Sequence, residues 1–404
     1  MNQPDAMLAP ARHGKLPSAA RHVFKLLERI EHGWLMMSLP DGEMVSFGGR
    51  GEPVEMRVLD WGVFDRVIAR GDIGLGEAWF DGLWDTDELG RVLTLFAQNR
   101  DALQRAVHGN LLALVFARMR HLGRANTRRG SRRNIVAHYD LGNEFYGLWL
   151  DGSMTYSSAL YEGDTRRDLE TAQLAKYQRI ARVMGLSADD SVIEIGCGWG
   201  GFAEVAAQRA GARVHGVTLS PAQLAWARQR AERGGYADRA TCELRDYRDL
   251  RGKASHIVSI EMLEAVGERW WPTYFARLDS LLASGGQAVI QTISIADDLF
   301  ARYRKGTDFI QQYIFPGGML PSPSVFVQQA EKVGLQVRDD FRFGLDYALT
   351  LARWRATFEA RTDALRALGF DRRFQRLWRF YLAYCEAGFR AGSIDVHQFH
   401  LEKT

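Results

Sequence analysis

The stretch that most limits the fold lies between Ser191 and Ile295, where short apolar runs alternate with helical segments. "SVIEI" runs directly into the turn "GCGWGG", and "FAEVAAQRAG" follows as a helix. Next come strand "ARVHGVTLS", helix "PAQLAWARQRAERGG", and the strands "ATCELRDY", "HIVSIEM" and "GQAVIQTISI". Strands joined by helices return parallel, so this stretch specifies a doubly wound α/β sheet. Such sheets bind ligands outside the carboxyl ends of their strands. Functional residues are therefore expected just after each apolar run.

The first of these turns carries Gly196 and Gly198 in the spacing G-x-G-x-G, with Glu194 in the strand before it. A dinucleotide site spaces its glycines G-x-G-x-x-G and needs an acid about twenty residues on. Here Thr218, Leu219 and Ser220 occupy that place. The pattern favours S-adenosylmethionine, with Thr218, Leu219 and Gln223 at the second strand and Asp246 and Tyr247 at the third lining its pocket. Asp246 reads equally well as a loop cap. Cys197 has no His partner nearby and reads as a small packed residue.

A chain of 404 residues with 46% hydrophobic and 25% charged residues is a globular protein long enough for two domains. A net charge of +3 gives no argument for nucleic acid as a partner. Three cysteines, Cys197, Cys242 and Cys385, fit neither a metal site nor a disulfide framework, which points to a reducing cytoplasm. No signal-peptide core or membrane-spanning apolar run is present. The first 20 or so residues read as unstructured, residues 21–40 as helical, and the following turn-rich segment as strands and hairpins. Residues 102–139 hold eight arginines and no acid. They read either as a core helix with a solvated basic linker or as a surface for anionic lipid headgroups. The domain boundary is placed near residue 125.

Two carboxylates, Glu261 and Glu264, interrupt the apolar run in "HIVSIEMLEAVGERWW". A buried carboxylate is costly unless it is partnered or used. Either could be structural: Glu261 paired with an arginine, Glu264 held by a helix dipole.

Several long motifs, "NIVAHYDLGNEFYGLWLDGSMTYSSALYEG", "LETAQLAKYQRIA", "VIEIGCGWGG", "GVTLSPAQ", "FIQQYIFPGGMLPS" and "YLAYCEAGFRAGSIDVHQF", resemble the cyclopropane-fatty-acid synthase family, which includes the mycolic-acid methyltransferases. The resemblance is strong over about residues 130–404 and looser before. It implies a class I methyltransferase fold with a smaller N-terminal α+β domain (residues 1–125) that binds lipid and dimerises, and a methyltransferase domain at 126–404. It implies methyl transfer from S-adenosylmethionine to a double bond of an unsaturated phospholipid acyl chain, through a carbocation, by a homodimer on the inner face of the membrane. Tyr156 and Ser157 join the cofactor residues on this ground.

In family members that make cyclopropanes, the resemblance implies a bound bicarbonate as base, held by a Cys, a Glu, a His and a Tyr. Glu264 and Tyr347 match two of these. Ser158 stands at the Cys position and Gln291 at the His position, and Glu261 stands where cyclopropane synthases commonly have Gly. The branch that makes methyl-branched hydroxylated products shares Glu and Gln at these places. A fixed carboxylate would repel bicarbonate, so Glu261 is expected to replace it. The implied catalytic set is Glu261, Glu264, Tyr347, Ser158 and Gln291, with no metal.

Overall fold

The computed structural model describes residues 16–104 and 141–404. Their contacts divide them into two compact units. The first holds the described residues up to 104 together with Gly369–Ala391, and the second holds those from 141 to Leu368 together with Gly392–Thr404. The expected boundary near residue 125 and the basic run 105–133 lie outside the described residues. The second unit is not the continuous 126–404 read from the sequence, because Gly369–Ala391 groups with the first.

The first unit builds a four-stranded sheet in the order β2-β1-β3-β4, from β1 (Trp34–Ser38), β2 (Met44–Gly48), β3 (Val54–Val58) and β4 (Trp84–Asp85). The helix before it spans Ser18–Leu27, so the sequence reading placed helix too far: Trp34–Ser38 alternates part-buried and buried positions as strand β1. The Ala-rich start is likewise ordered from Ser18 onward. Phe24 packs edge-on against Phe47 and Phe64, at centroid distances of 5.2 and 5.6 Å.

One arginine shows why the helix Arg372–Arg390 belongs here. Arg376 is buried and donates to the carbonyls of Trp79 (2.6 Å) and Trp84 (2.9 Å), while Trp79 Nε1 donates back to the Arg376 carbonyl (2.9 Å). The guanidinium lies 3.9 Å from the Trp79 ring centroid. A cation over an aromatic face with its N–H groups satisfied is a stabilising burial.

The second unit is a seven-stranded sheet in the order β10-β11-β9-β8-β5-β6-β7. Its strands are β5 (Ser191–Ile195), β6 (Arg213–Thr218), β7 (Ala240–Leu244), β8 (Ala254–Ile260), β9 (Leu282–Ile295), β10 (Leu335–Arg342) and β11 (Ile394–Lys403). The β7-β6-β5-β8-β9 block is parallel, as the alternation of strand and helix requires. β11 is antiparallel to both β9 and β10. Strand β5 is the middle strand of the parallel block, and the order reverses beside it, so its carboxyl end opens a crevice.

Register decides what meets at that crevice. Ile260 of β8 pairs with Gln291 of β9, and Gln291 pairs with Gln398 of β11. The residue after Ile260, Glu261, thus enters a row with two glutamines. Deeper among the last three strands, Ser294 Oγ meets His397 Nε2 at 2.7 Å and His397 Nδ1 meets Asp340 Oδ1 at 2.6 Å. This polar stitch is buried at Ser294 and His397 and ties β9, β10 and β11 together. Among the described residues no helix is long and apolar enough to cross a membrane.

Arg376→Ala would remove a buried side-chain donor from the carbonyls of Trp79 and Trp84, the first of which keeps the Gly82 N–H. Chemical denaturation should show the first unit destabilised by about 2–4 kcal/mol.

Candidate active site

A cleft opens at the carboxyl ends of β5, β6 and β8. It is lined by Tyr156 and Ser157, by Glu194, Gly196 and Gly198, by Thr218, Leu219 and Gln223, by Asp246 and Tyr247, and by Glu261. The ten residues expected to hold S-adenosylmethionine therefore lie around one cavity with the first carboxylate of the "IEMLE" stretch.

Local chemistry explains the shape of its floor. The turn after β5 has positive φ at Gly196, Gly198 and Gly200, where a side chain would be strained. A Cβ on the next residue, Gly201, would meet the Tyr177 hydroxyl at 2.8 Å. Cys197 and Cys242 are buried beside each other, as expected of packed residues. Thr218 Oγ1 donates to Gln223 Oε1 at 2.8 Å, which leaves the Gln223 amide N–H groups to donate elsewhere. Asp246 caps the short helix Tyr247–Asp249 and holds Arg248 with two bonds, at 2.9 and 2.6 Å, so it is both loop cap and cleft wall.

Glu194 supplies the test of fit for a cationic ligand. It is buried, and its Oε2 has no hydrogen-bond partner. Burial pushes its carboxyl well above the usual range. An orphaned acceptor on a cavity wall suits a ligand that brings N–H donors and positive charge. S-adenosylmethionine carries an ammonium and a sulfonium, so these residues fit it.

Beyond the residues expected to hold the cofactor stands Glu261, whose carboxylate is fully partnered. Oε1 accepts from Ser158 N and Gln291 Nε2, both at 2.8 Å, and Oε2 accepts from the Tyr347 hydroxyl at 2.6 Å. Each donor is itself aimed. Gln398 Nε2 donates to Gln291 Oε1 (3.0 Å), and Arg179 donates to Gln398 Oε1 (2.7 Å) and to Asp339 (2.9 Å). That chain forces the Gln291 amide to turn its N–H toward Glu261. Tyr347 sits in the first turn of helix Gly344–Ala360. The same helix holds the Ser158 segment in place: Thr350 Oγ1 accepts from Ala159 N (3.1 Å) and Asp346 from Tyr161 N (2.7 Å).

The backbone at Glu261 is unusual. Its φ is +50°, in the left-handed region natural to glycine. Only two other non-glycine residues among those described share a positive φ, and one of them, Met154, also lines the cleft. Such strain is worth roughly 1–3 kcal/mol and clusters at functional sites.

Not every expected residue reaches the cleft. The Ser158 hydroxyl donates to the Ala159 carbonyl (3.0 Å), so this residue contributes its backbone N–H and not its side chain. Glu264, in the short helix Leu263–Ala265, turns behind the cavity and accepts from Ile293 N. Its other oxygen, Oε2, is buried and unpartnered. Burial, with the Glu261 charge beside it, pushes its pKa up to about 8. The "FIQQYIFPGGMLPS" segment folds over this corner, with Met319 N donating to the Glu264 carbonyl at 2.8 Å.

The sequence reading missed a buried polar face on helix Leu169–Val183. Gln173 and Lys176 are fully buried and Arg179 nearly so. Gln173 Nε2 donates to the Ser157 carbonyl at 2.9 Å. Their spacing of three residues was visible in "AQLAKYQR", but polar residues ordinarily mark a solvated face. Also missed was the aromatic cage around Tyr156, made by Tyr146, Trp149 and Trp354 at centroid distances of 5.4, 5.4 and 5.5 Å.

Residues 126–399 match the family model described as mycolic acid cyclopropane synthetase. The chain belongs to that family. It is 41% identical over 344 residues to the tuberculostearic acid methyltransferase UfaA1 of Mycobacterium tuberculosis, covering 83% of this chain and 80% of the relative. It is 35% identical over 354 residues to the cyclopropane-fatty-acyl-phospholipid synthase of Escherichia coli K12, covering 86% and 87%. The crystal structure of mycolic acid cyclopropane synthase CmaA1 complexed with SAH and CTAB superposes with a TM-score of 0.63 at 31% identity, over 67% of this chain and 98% of that one. The sheet described above is thus the class I methyltransferase fold expected from the sequence.

The pKa of Glu264 has a thermodynamic signature. Its folded value, about 8, lies above the ordinary 4.5, so the folded state holds one proton more across that window. Stability should therefore fall as pH rises from about 4.5 to about 8, with a slope of up to about 1.4 kcal/mol per unit. Glu264→Gln, which mimics the neutral acid, should flatten that slope in pH-dependent thermal unfolding.

Proposed function

We propose that this protein methylates a carbon–carbon double bond of an unsaturated phospholipid acyl chain and that Glu261 removes the proton that ends the reaction. Family membership makes the chain an S-adenosylmethionine-dependent methyltransferase of fatty acyl lipids. The observation that carries the finer reading is a carboxylate with three donors on a glycine-type backbone at the cofactor cleft.

When bound, S-adenosylmethionine would supply an electrophilic methyl group and leave as S-adenosylhomocysteine. Glu194, Thr218, Gln223 and Asp246, which line the cleft with the glycine turn, would hold it. Addition of the methyl to the π-bond leaves a carbocation on the acyl chain. Glu261 stabilises that cation by a charge that its three donors hold in place. The cation is so acidic that a carboxylate suffices as base, even one held in place by three hydrogen bonds. Those bonds spread its charge and fix its position, so the proton it takes is chosen by geometry. Glu264, kept neutral by burial, adds no second negative charge. The Tyr347 hydroxyl, the Gln291 amide and the Ser158 N–H act as positioning groups.

A side-chain carboxylate occupies the place that bicarbonate is implied to fill in cyclopropane-forming relatives. The product is then a methyl-branched alkene in preference to a cyclopropane, in line with the similarity to a tuberculostearic acid methyltransferase. The first unit, with the arginine-rich run beyond it, serves contact with anionic lipid and dimerisation. On this reading the enzyme works in the cytoplasm, on the inner membrane face.

Glu261→Gln should lower kcat at least about 100-fold and leave S-adenosylhomocysteine affinity within a few-fold. Glu261→Gly, which suits the positive φ, should show activity that depends on added bicarbonate, whereas the native enzyme should not respond to it. Full activity of the Gln variant in a vesicle assay would overturn the assignment. Independently, lipids from cells expressing the protein and fed methyl-deuterated methionine should yield a product that takes up hydrogen over a catalyst. Upfield cyclopropane ring protons would refute the product assignment.

A further inference from the structure

Helix Leu169–Val183 carries an amine that the reaction above does not use. Lys176 is 0% exposed, one of the largest fully buried side chains in the protein. Its Nζ donates to Ser157 Oγ and to Gln173 Oε1 (2.8 Å). It also lies 4.5 Å from the Tyr177 ring centroid. An ammonium has three N–H donors, and among the described residues the third meets no oxygen. A fully buried lysine with incomplete hydrogen bonding is expensive and calls for a compensating charge.

Two carboxylates act on its charge, Glu261 after β8 and Asp151 before the Ser157 segment, and neither is hydrogen-bonded to it. Asp151 Oδ1 is buried without a partner, while its Oδ2 accepts from Ser153 N at 3.0 Å. The other ionisable groups around the pair are Tyr177 on the same helix, Tyr347, whose hydroxyl is spent on Glu261, and Glu264 behind it. Arg179, one turn further on, is turned away toward Gln398 and Asp339.

Lys176 therefore bridges two parts of the site. Through Ser157 it touches a residue of the cofactor cleft, and through space its charge acts on Glu261. We propose that Lys176 is a positioning residue that directs the Ser157 hydroxyl lone pairs and proton within the cofactor cleft and, as an ammonium, keeps Glu261 ionised. This rests on Glu261 being the base. The Lys176 amine donates to Ser157 Oγ, so the Ser157 O–H is left to point into the cleft as a donor. The Glu261 carboxyl is pushed up by burial, and the Lys176 charge opposes that push. Burial in turn lowers Lys176 to about 7, with Glu261 and Asp151 working against that shift. The two groups hold one another's charge, and neither is stable in its ionised form alone.

Two variants separate the functions. Lys176→Met removes charge and donor but keeps length and packing. Lys176→Gln removes the charge but keeps an N–H for Ser157. In both, the acid limb of the kcat–pH profile should move at least one unit to higher pH. The Met variant alone should bind S-adenosylhomocysteine about tenfold more weakly in calorimetry, and the Gln variant should bind it within a few-fold of the native protein. A second readout needs no turnover. The folded Lys176 binds fewer protons than the unfolded one between about 7 and its ordinary 10.5, so stability of the cofactor-free protein should rise with pH there. That rise should vanish in both variants. An unmoved acid limb in variants that fold, with Glu261→Gln still inactive, would overturn the role of Lys176 and leave that of Glu261 standing. An active Glu261→Gln would overturn the underlying assignment instead.

Discussion

The carboxylate of Glu261 is the point on which the second unit's polar interior depends. It takes donors from three separate places: the loop at Ser158, strand β9 at Gln291 and helix Gly344–Ala360 at Tyr347. Desolvating a carboxylate costs several kcal/mol, and such a group is stable inside a protein only when its oxygens are satisfied. Those donors cannot be supplied by mobile side chains. Hence Gln291 is locked by Gln398, Gln398 by Arg179, and the Ser158 loop by Thr350 and Asp346. The pairing of β8, β9 and β11 places Ile260, Gln291 and Gln398 in one row, so the network is a product of strand register.

The division of labour between the two glutamates follows from environment, as it does for other paired carboxylates. Glu261 has donors on both oxygens and a buried ammonium nearby. Glu264 has one backbone donor and an empty-handed second oxygen. The first is built to carry charge and the second to lose it. Their order in the chain, three residues apart across a short helix, gives no hint of this difference.

Where the sequence carried a local rule, the structure could be read from it. The glycine turn after β5, the parallel alternation up to β9 and the cleft residues from Glu194 to Tyr247 all follow from strand-end chemistry. Glu261 stood out as a charge in an apolar run. The rest depended on tertiary partners. Gln173, Lys176 and Arg179 look like an exposed polar face until the Ser157 loop and β11 are laid on it. Ser158 looked like a side-chain ligand, yet its hydroxyl turns to Ala159. The helix Arg372–Arg390 was assigned by its position in the chain, whereas Arg376 ties it to Trp79 and Trp84, almost 300 residues away (|i−j| 297 and 292).

The left-handed backbone at Glu261 has an evolutionary meaning. A glycine and a glutamate can stand at that position without moving the strand, because φ is already where glycine is at ease. In the genetic code Glu and Gly codons differ at one base, as do Gln and His, and Ser and Cys. The three departures at Glu261, Gln291 and Ser158 are thus each a single-base step from the residues implied for cyclopropane-forming relatives. A lineage could pass between a captured anion and a built-in one by point mutation, on a scaffold that never has to refold.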